Sequence, residues 1–143
     1  LKQWRRVGCC PMPHATSPLV FKSLCDHEEL IVHTAALLES QWPTSLEQRQ
    51  RQLAKSSPQL PCSFVLVDEE QSSVLAHGRL AVAGESAVDG FSCVLTSVVV
   101  AVASRKSGIG RLLMQHLGEV ARDMGFCYMY LWTKDQVRFY ENY

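Results

Sequence analysis

Leu95-Thr96-Ser97-Val98-Val99-Val100-Ala101-Val102-Ala103-Ser104-Arg105-Lys106-Ser107-Gly108-Ile109-Gly110-Arg111 joins an apolar run to a basic, glycine-bearing turn. Its first half carries the β-branched run Val98-Val99-Val100, which suits an interior strand. Its second half places Gly108 and Gly110 among Arg105, Lys106, Ser107 and Arg111. An amphipathic helix is expected next, over residues 110–124, with Leu112, Leu113, Leu117, Val120 and Ala121 on one face and Gly125 at its end. Strand, glycine-bearing turn and helix in that order leave the N–H groups of the first helical turn unpaired, where an anion can accept them. Two glycines one residue apart allow tight turning and remove Cβ atoms that would obstruct that anion. On spacing alone, glycines that merely shape a turn beside a solvated basic patch fit equally well.

Two familiar phosphate loops do not fit. No lysine follows Gly110, as a Walker A loop requires, and Leu113 stands where a dinucleotide fingerprint needs its third glycine.

Around this stretch the hydrophobic pattern changes period. Strands are expected at 19–24, 64–67, 74–82, 93–102 and 126–132. Asp26 reads as a helix N-cap with Glu29 as its capping-box partner, opening a helix that runs to about Ser40. Pro43 interrupts, and Ser45 caps a second helix through Lys55. Asp135 is a candidate cap for a last helix beginning at Gln136, while residues 1–17 read as irregular because Gly8, Pro11 and Pro13 break any period. The order β-α-α-β-β-β-α-β-α predicts one mixed α/β domain over residues 1–143, a mostly antiparallel sheet with helices on both faces.

Composition bounds the function. The 143 residues are 47% hydrophobic and 20% charged, enough for an ordinary core. Fourteen basic residues balance fourteen acidic ones, which removes the broad positive footprint of a nucleic-acid-binding domain. No window holds 18 consecutive apolar residues, so no membrane-spanning helix is expected. The six cysteines show no ligand spacing with histidine, so no metal site is expected. They read as reduced thiols, which predicts a cytoplasmic setting. Leu1 rather than Met opens the sequence, so a preceding targeting segment is left open.

The pattern Arg105, Gly108, Gly110 behind a strand resembles the Arg/Gln-x-x-Gly-x-Gly/Ala motif of the GCN5-related N-acetyltransferase (GNAT) family, and Phe139-Tyr140-Glu141-Asn142-Tyr143 is similar to the family's last helical motif. The resemblance covers about residues 64–143 and implies acetyl-coenzyme A as cofactor. It also implies a splay between the strand carrying Val98, Val99 and Val100 and the following one, so that exposed backbone at Val98 and Val100 pairs with the pantetheine arm. Arg105, Lys106, Ser107, Gly108, Ile109, Gly110 and Arg111 would hold the pyrophosphate; Thr133 and Gln136 would lie along the lower arm, where they depart from the family pattern. Tyr140 is similar to the tyrosine that protonates the leaving thiolate. Two more strands would follow Tyr143, beyond this sequence or from another chain.

Where many members carry a basic glutamate, this chain has Thr96-Ser97. His77, by its ordinary pKa, is then the best candidate base, with a packed histidine or a substrate contact as the alternatives. Gln41-Trp42-Pro43, His77-Gly78-Arg79-Leu80 and Thr133 to Tyr140 look like the branch of the family that acetylates the acidic amino terminus of actin. That likeness implies an acceptor groove walled by Trp42. Arg49, Arg51, His77, Arg79 and Lys134 are candidates for meeting acidic side chains, although each alone also fits a solvated or packed surface residue. The competing readings are a GNAT enzyme for lysine or small amines, and an inactive acyl-coenzyme A-binding interaction protein.

Overall fold

The computed structural model describes residues 2–3, 18–84, 90–133 and 136–141. Strand β1 (Lys2–Gln3) is followed by β2 (Leu19–Ser23), helix α1 (Ile31–Gln41), α2 (Leu46–Leu53) and strands β3 (Cys62–Asp68), β4 (Ser73–Val82) and β5 (Ser92–Val100). Helix α3 (Ile109–Asp123), β6 (Tyr128–Leu131) and α4 (Val137–Tyr140) complete the order. The strands form one sheet in the order β1-β6-β5-β4-β3-β2. Among the described residues only β5 and β6 pair in parallel, joined by α3 as a crossover.

The period of two along each strand divides the core. Phe64, Leu66, Ala76, Leu80, Cys93, Leu95, Met129 and Leu131 face α3, where Leu113, Met114, Leu117 and Ala121 meet them. Val65, Val67, Val74 and Val99 face the other way, against Leu24, Ala35, Leu38 and Leu53 from the α1–α2 side. Strand β3 is buried along its whole length, as a strand covered on both faces must be. Each fully buried leucine contributes about 1.5–3 kcal/mol.

Three expectations change. Asp26 does not cap a helix: Leu24 to Asp26 turn the chain directly off β2, and a short 3-10 turn (Glu28–Leu30) leads into α1 without a side-chain cap. His27 Nδ1 instead lies 3.1 Å from Glu29 Oε1. Strand β5 ends at Val100, because Val102–Ser104 tightens into another 3-10 turn. Lys2 and Gln3, read as irregular, pair antiparallel with Leu131 and Tyr130; two residues carry no period from which a strand can be read. Ser45 does cap α2, its Oγ accepting from Gln48 N at 3.4 Å.

Candidate functional site

Strands β5 and β6 hold together only from Ser92↔Tyr128 to Leu95↔Leu131. Thr96 to Val100 continue against β4 alone. The sheet therefore opens between its two parallel strands. At the opening β5 carries a bulge: Ser97 and Val98 oppose the single residue Gly78, and Ser97 takes a left-handed φ of 53°. Beyond the bulge, Ala101 N donates to Leu75 O at 2.7 Å. By the alternation of an antiparallel ladder, the N–H and C=O groups of Val98 and Val100 then point into the opening. The Val100 C=O accepts from Arg105 Nε at 3.1 Å, while the groups of Val98 and the Val100 N–H need a partner, which an amide-bearing arm laid along the edge would supply.

The turn behind β5 is shaped at two positions. Lys106 (φ 61°) and Gly108 (φ 85°) are both left-handed, and Gly108 is the N-cap of α3. The first helical bond is Leu112 N to Gly108 O at 3.0 Å, which leaves the N–H groups of Ile109, Gly110 and Arg111 without intrahelical acceptors. A Cβ on Gly108 would project into open space, whereas one on Gly110 would come 3.0 Å from Phe139 Cζ and 3.5 Å from Val100 Cγ2. The first glycine supplies the left-handed φ of the turn, and the second lets α4 pack against α3. Lys106, Ser107 and Arg111 are exposed around the turn.

Three residues expected at the cofactor stand otherwise. Arg105 turns back, its Nε donating to Val100 O at 3.1 Å and its Nη2 to Gln41 Oε1 at 2.8 Å, so it ties the turn to the end of α1. Val99 pairs with His77 and buries its side chain on the α1–α2 side, away from the opening. The Ile109 side chain anchors α3 in the core, leaving only its backbone for the anion.

Helix α4 closes the far side. Thr133 Oγ1 accepts from Gln136 N at 3.1 Å, so Thr133 opens this helix, with Gln136 exposed at its cap position. Asp135, the expected cap, and Lys134 lie outside the described residues. Phe139 and Tyr140 meet edge to face at 4.9 Å, and both pack against the α3-side core. Burial pushes the Tyr140 phenol up to about 12, so it keeps its proton throughout the neutral range.

On the opposite face, α1 ends at Trp42, which is 42% exposed. Its loop is clasped from both sides. Arg49 Nη2 donates to Trp42 O, and Glu39 Oε1 accepts from Thr44 N at 2.7 Å. Arg49 Nε lies 3.8 Å from Glu39 Oε2, with the arginine side chain 11% exposed. Arg49 is thus built into the α1–α2 loop rather than held out on the surface. Glu39, which the sequence did not single out, becomes visible only once α1 and α2 are side by side. Arg79 donates from Nη1 to Gln52 O at 3.1 Å at the end of α2, and Arg51 is exposed on α2.

His77 is fully buried between these regions. Its Nδ1 lies 2.8 Å from Ser97 O, which can only accept, so Nδ1 carries the hydrogen. Nε2 is buried with no hydrogen-bond partner among the described residues. Burial pulls the imidazole down to about 4, outweighing the bond to Ser97. The ordinary pKa that recommended His77 as a base therefore does not survive folding. Cys62 and Cys93 are free and buried, their thiols pushed up to about 11 by burial, while Cys25 and Cys127 are also free.

The comparisons with known proteins agree with this geometry. The sequence model of the acetyltransferase (GNAT) family matches residues 28–143. Mouse (Mus musculus) N-alpha-acetyltransferase 80 is 34% identical over 117 residues, 78% of this chain and 36% of the mouse protein. The chain thus spans about a third of that relative's length. Among solved structures, a Trypanosoma brucei acetyltransferase superposes with a TM-score of 0.68 at 20% identity, covering 87% of this chain and 90% of the other. AAC(6')-Iy in complex with the bisubstrate analogue CoA-S-monomethyl-acetylneamine gives 0.68 at 11% identity, covering 88% and 86%. Since the family match takes in every element that builds the opening and the turn, this chain belongs to the GNAT family of acetyltransferases.

Proposed function

We propose that this chain transfers an acetyl group from acetyl-coenzyme A to the α-amine of a polypeptide with an acidic amino terminus, actin being the intended example. The observation that carries the reading is the likeness to an N-alpha-acetyltransferase at 34% identity, on a chain whose β5 edge is open beside a glycine-bearing helix start. Acetyl-coenzyme A is the acyl donor of GNAT enzymes, and when bound it supplies an activated thioester. The residues present fit it. Backbone groups of Val98 and Val100 would hold the pantetheine arm, and the N–H groups of residues 109–111 with Lys106 and Arg111 would take the pyrophosphate.

Tyr140 keeps its proton at Oη and offers it to the departing sulfur. The acceptor's proton is a smaller problem for an α-amine than for a lysine. An α-amino group has a pKa of about 7.7–8.0, so roughly a quarter is already neutral near pH 7.4, against about one part in a thousand for lysine at 10.4. A site whose buried histidine stays neutral with Nε2 sealed favours the acceptor that needs little help. Arg79, Arg51 and Lys134 are the proposed source of attraction for acidic side chains, steered along the Trp42 wall. The free thiols fit a reducing cytoplasm, which is part of this proposal.

The experiment is coenzyme A release with peptides that differ only at their first residues. Peptides starting with Asp or Glu should turn over far faster than neutral or basic ones. Equal rates across the panel would remove the acidic preference.

A further inference from the structure

Ser97 is the residue on which the geometry of the opening turns. Cys93 and Leu95 send their side chains to the α3 face, and an unbroken strand would send Ser97 and Val99 the same way. Instead Val98 and Val100 pack on the α3 face and Val99 packs on the α1–α2 face. The bulge has shifted the strand by one residue. Without it, Val98 would oppose His77 and turn its backbone groups into β4, and the opening would receive those of Ser97 and Val99. The bulge thus selects which backbone groups meet the arm.

That bulge is not self-supporting. Ser97 adopts φ 53°, a region unfavourable for any residue with a Cβ unless its surroundings hold it there. The hold comes across the sheet, from the fully buried His77, whose Nδ1 donates to Ser97 O at 2.8 Å. Gly78, beside it, leaves no Cβ on the residue that faces the bulge. The charged groups that act on His77 are Arg79 on its own strand and Arg49 on α2. Neither supplies a carboxylate that would draw a proton onto the ring.

We propose that His77 is a positioning residue for the acyl donor: through Ser97 O it fixes the β5 bulge, and so presents the backbone of Val98 and Val100 to acetyl-coenzyme A. The proposal rests on the acetyl-coenzyme A reading of the same opening. It assigns His77 no proton transfer and no contact with the acceptor.

The test is coenzyme A binding by calorimetry, with KM and kcat for acetyl-coenzyme A, on four forms of the chain. His77→Leu removes the donor and should weaken coenzyme A binding and raise its KM by roughly tenfold, the scale of one buried hydrogen bond, with a smaller change in kcat. His77→Asn keeps an N–H near the place of Nδ1 and should recover most of that loss. Ser97→Gly in the His77→Leu background is decisive, because glycine adopts a left-handed φ without the penalty. That double variant should bind coenzyme A more tightly than His77→Leu alone. A melting curve on each form separates weakened binding from failure to fold, and His77→Asn serves should the leucine variant not fold. Loss of turnover in His77→Asn with unchanged coenzyme A binding would overturn the proposal in favour of a base. Absence of any rescue by Ser97→Gly would overturn it too. Failure of the unaltered chain to bind coenzyme A at all would instead count against the cofactor reading.

Discussion

Replacing Gly78 with alanine tests whether the bulge and helix α3 are one mechanical unit. A Cβ there would lie 2.5 Å from Leu117 Cδ1, whereas carbon atoms in contact rest about 3.5–4.0 Å apart. Leu117 is 0% exposed in the α3-side core, so it has no free volume to swing into. Two effects oppose each other. Alanine loses less conformational entropy on folding than glycine in a strand, which favours the variant by about 0.5–1 kcal/mol. Forcing an extra methyl group into a filled core costs about 1–3 kcal/mol. Overpacking wins, and a net loss of about 1–2 kcal/mol is expected, a fall in Tm of about 3–8 °C at this chain length. Urea and thermal unfolding read it directly. Leu117→Ala alone should cost about 2–5 kcal/mol by leaving a cavity. In the double variant the new methyl grows into that cavity, so the combined cost should fall short of the sum by about 1 kcal/mol or more. Strict additivity, or a Gly78→Ala variant as stable as the parent, would refute the reasoning.

Three other outcomes are expected. His77 has its folded pKa near 4, against an ordinary value of 6.5, so the unfolded chain binds a proton that the folded chain refuses. Its contribution to stability is therefore complete above about pH 7 and is lost as pH falls from 6.5 toward 4, at up to about 1.4 kcal/mol per pH unit and about 3 kcal/mol in all. Urea titrations at stepped pH check this, and the slope should flatten in His77→Asn. Tyr140→Phe should lower kcat by about 100-fold with little change in coenzyme A affinity, given the proposed action of the phenol on the leaving sulfur; unchanged kcat would remove it from that role. Glu39→Ala takes the acceptor from Thr44 N and the carboxylate from beside Arg49. It should raise the peptide KM several-fold at unchanged KM for acetyl-coenzyme A, with a stability cost of about 1 kcal/mol. A larger effect on the donor than on the acceptor would sink that assignment.

What the sequence made legible was local. Val98 to Val100 announced a strand and residues 110–124 a helix, since both carry their period within a few residues, and Gly108 with Gly110 marked a tight turn. The opening of the sheet at Leu95↔Leu131 was reached through resemblance, because strand pairing depends on residues far apart in the chain. The bulge was not legible at all: nothing about a serine announces φ 53°, and its support sits twenty residues upstream in His77. Charge misled in a consistent way. Arg49 and Arg105 were read as groups for ligands, yet each spends its donors on the chain's own carbonyls and amides, Trp42 O for one, Val100 O and Gln41 Oε1 for the other. An arginine's sequence position says that it carries a fork of donors and does not say which acceptors fold places in front of it. The ordinary pKa of His77 misled for a related reason, because burial pulls it down and burial is a property of the packed sheet.

The β5 opening is proposed to serve acetyl transfer to an α-amine. One peptide tests it most directly: an acidic amino terminus with a free α-amine, and a single lysine several residues further on, incubated with acetyl-coenzyme A and sequenced by mass spectrometry. The account predicts one acetyl group, on the α-amine, released in step with free coenzyme A. Acetyl on the lysine, or no coenzyme A released from a chain that binds it, would contradict the account.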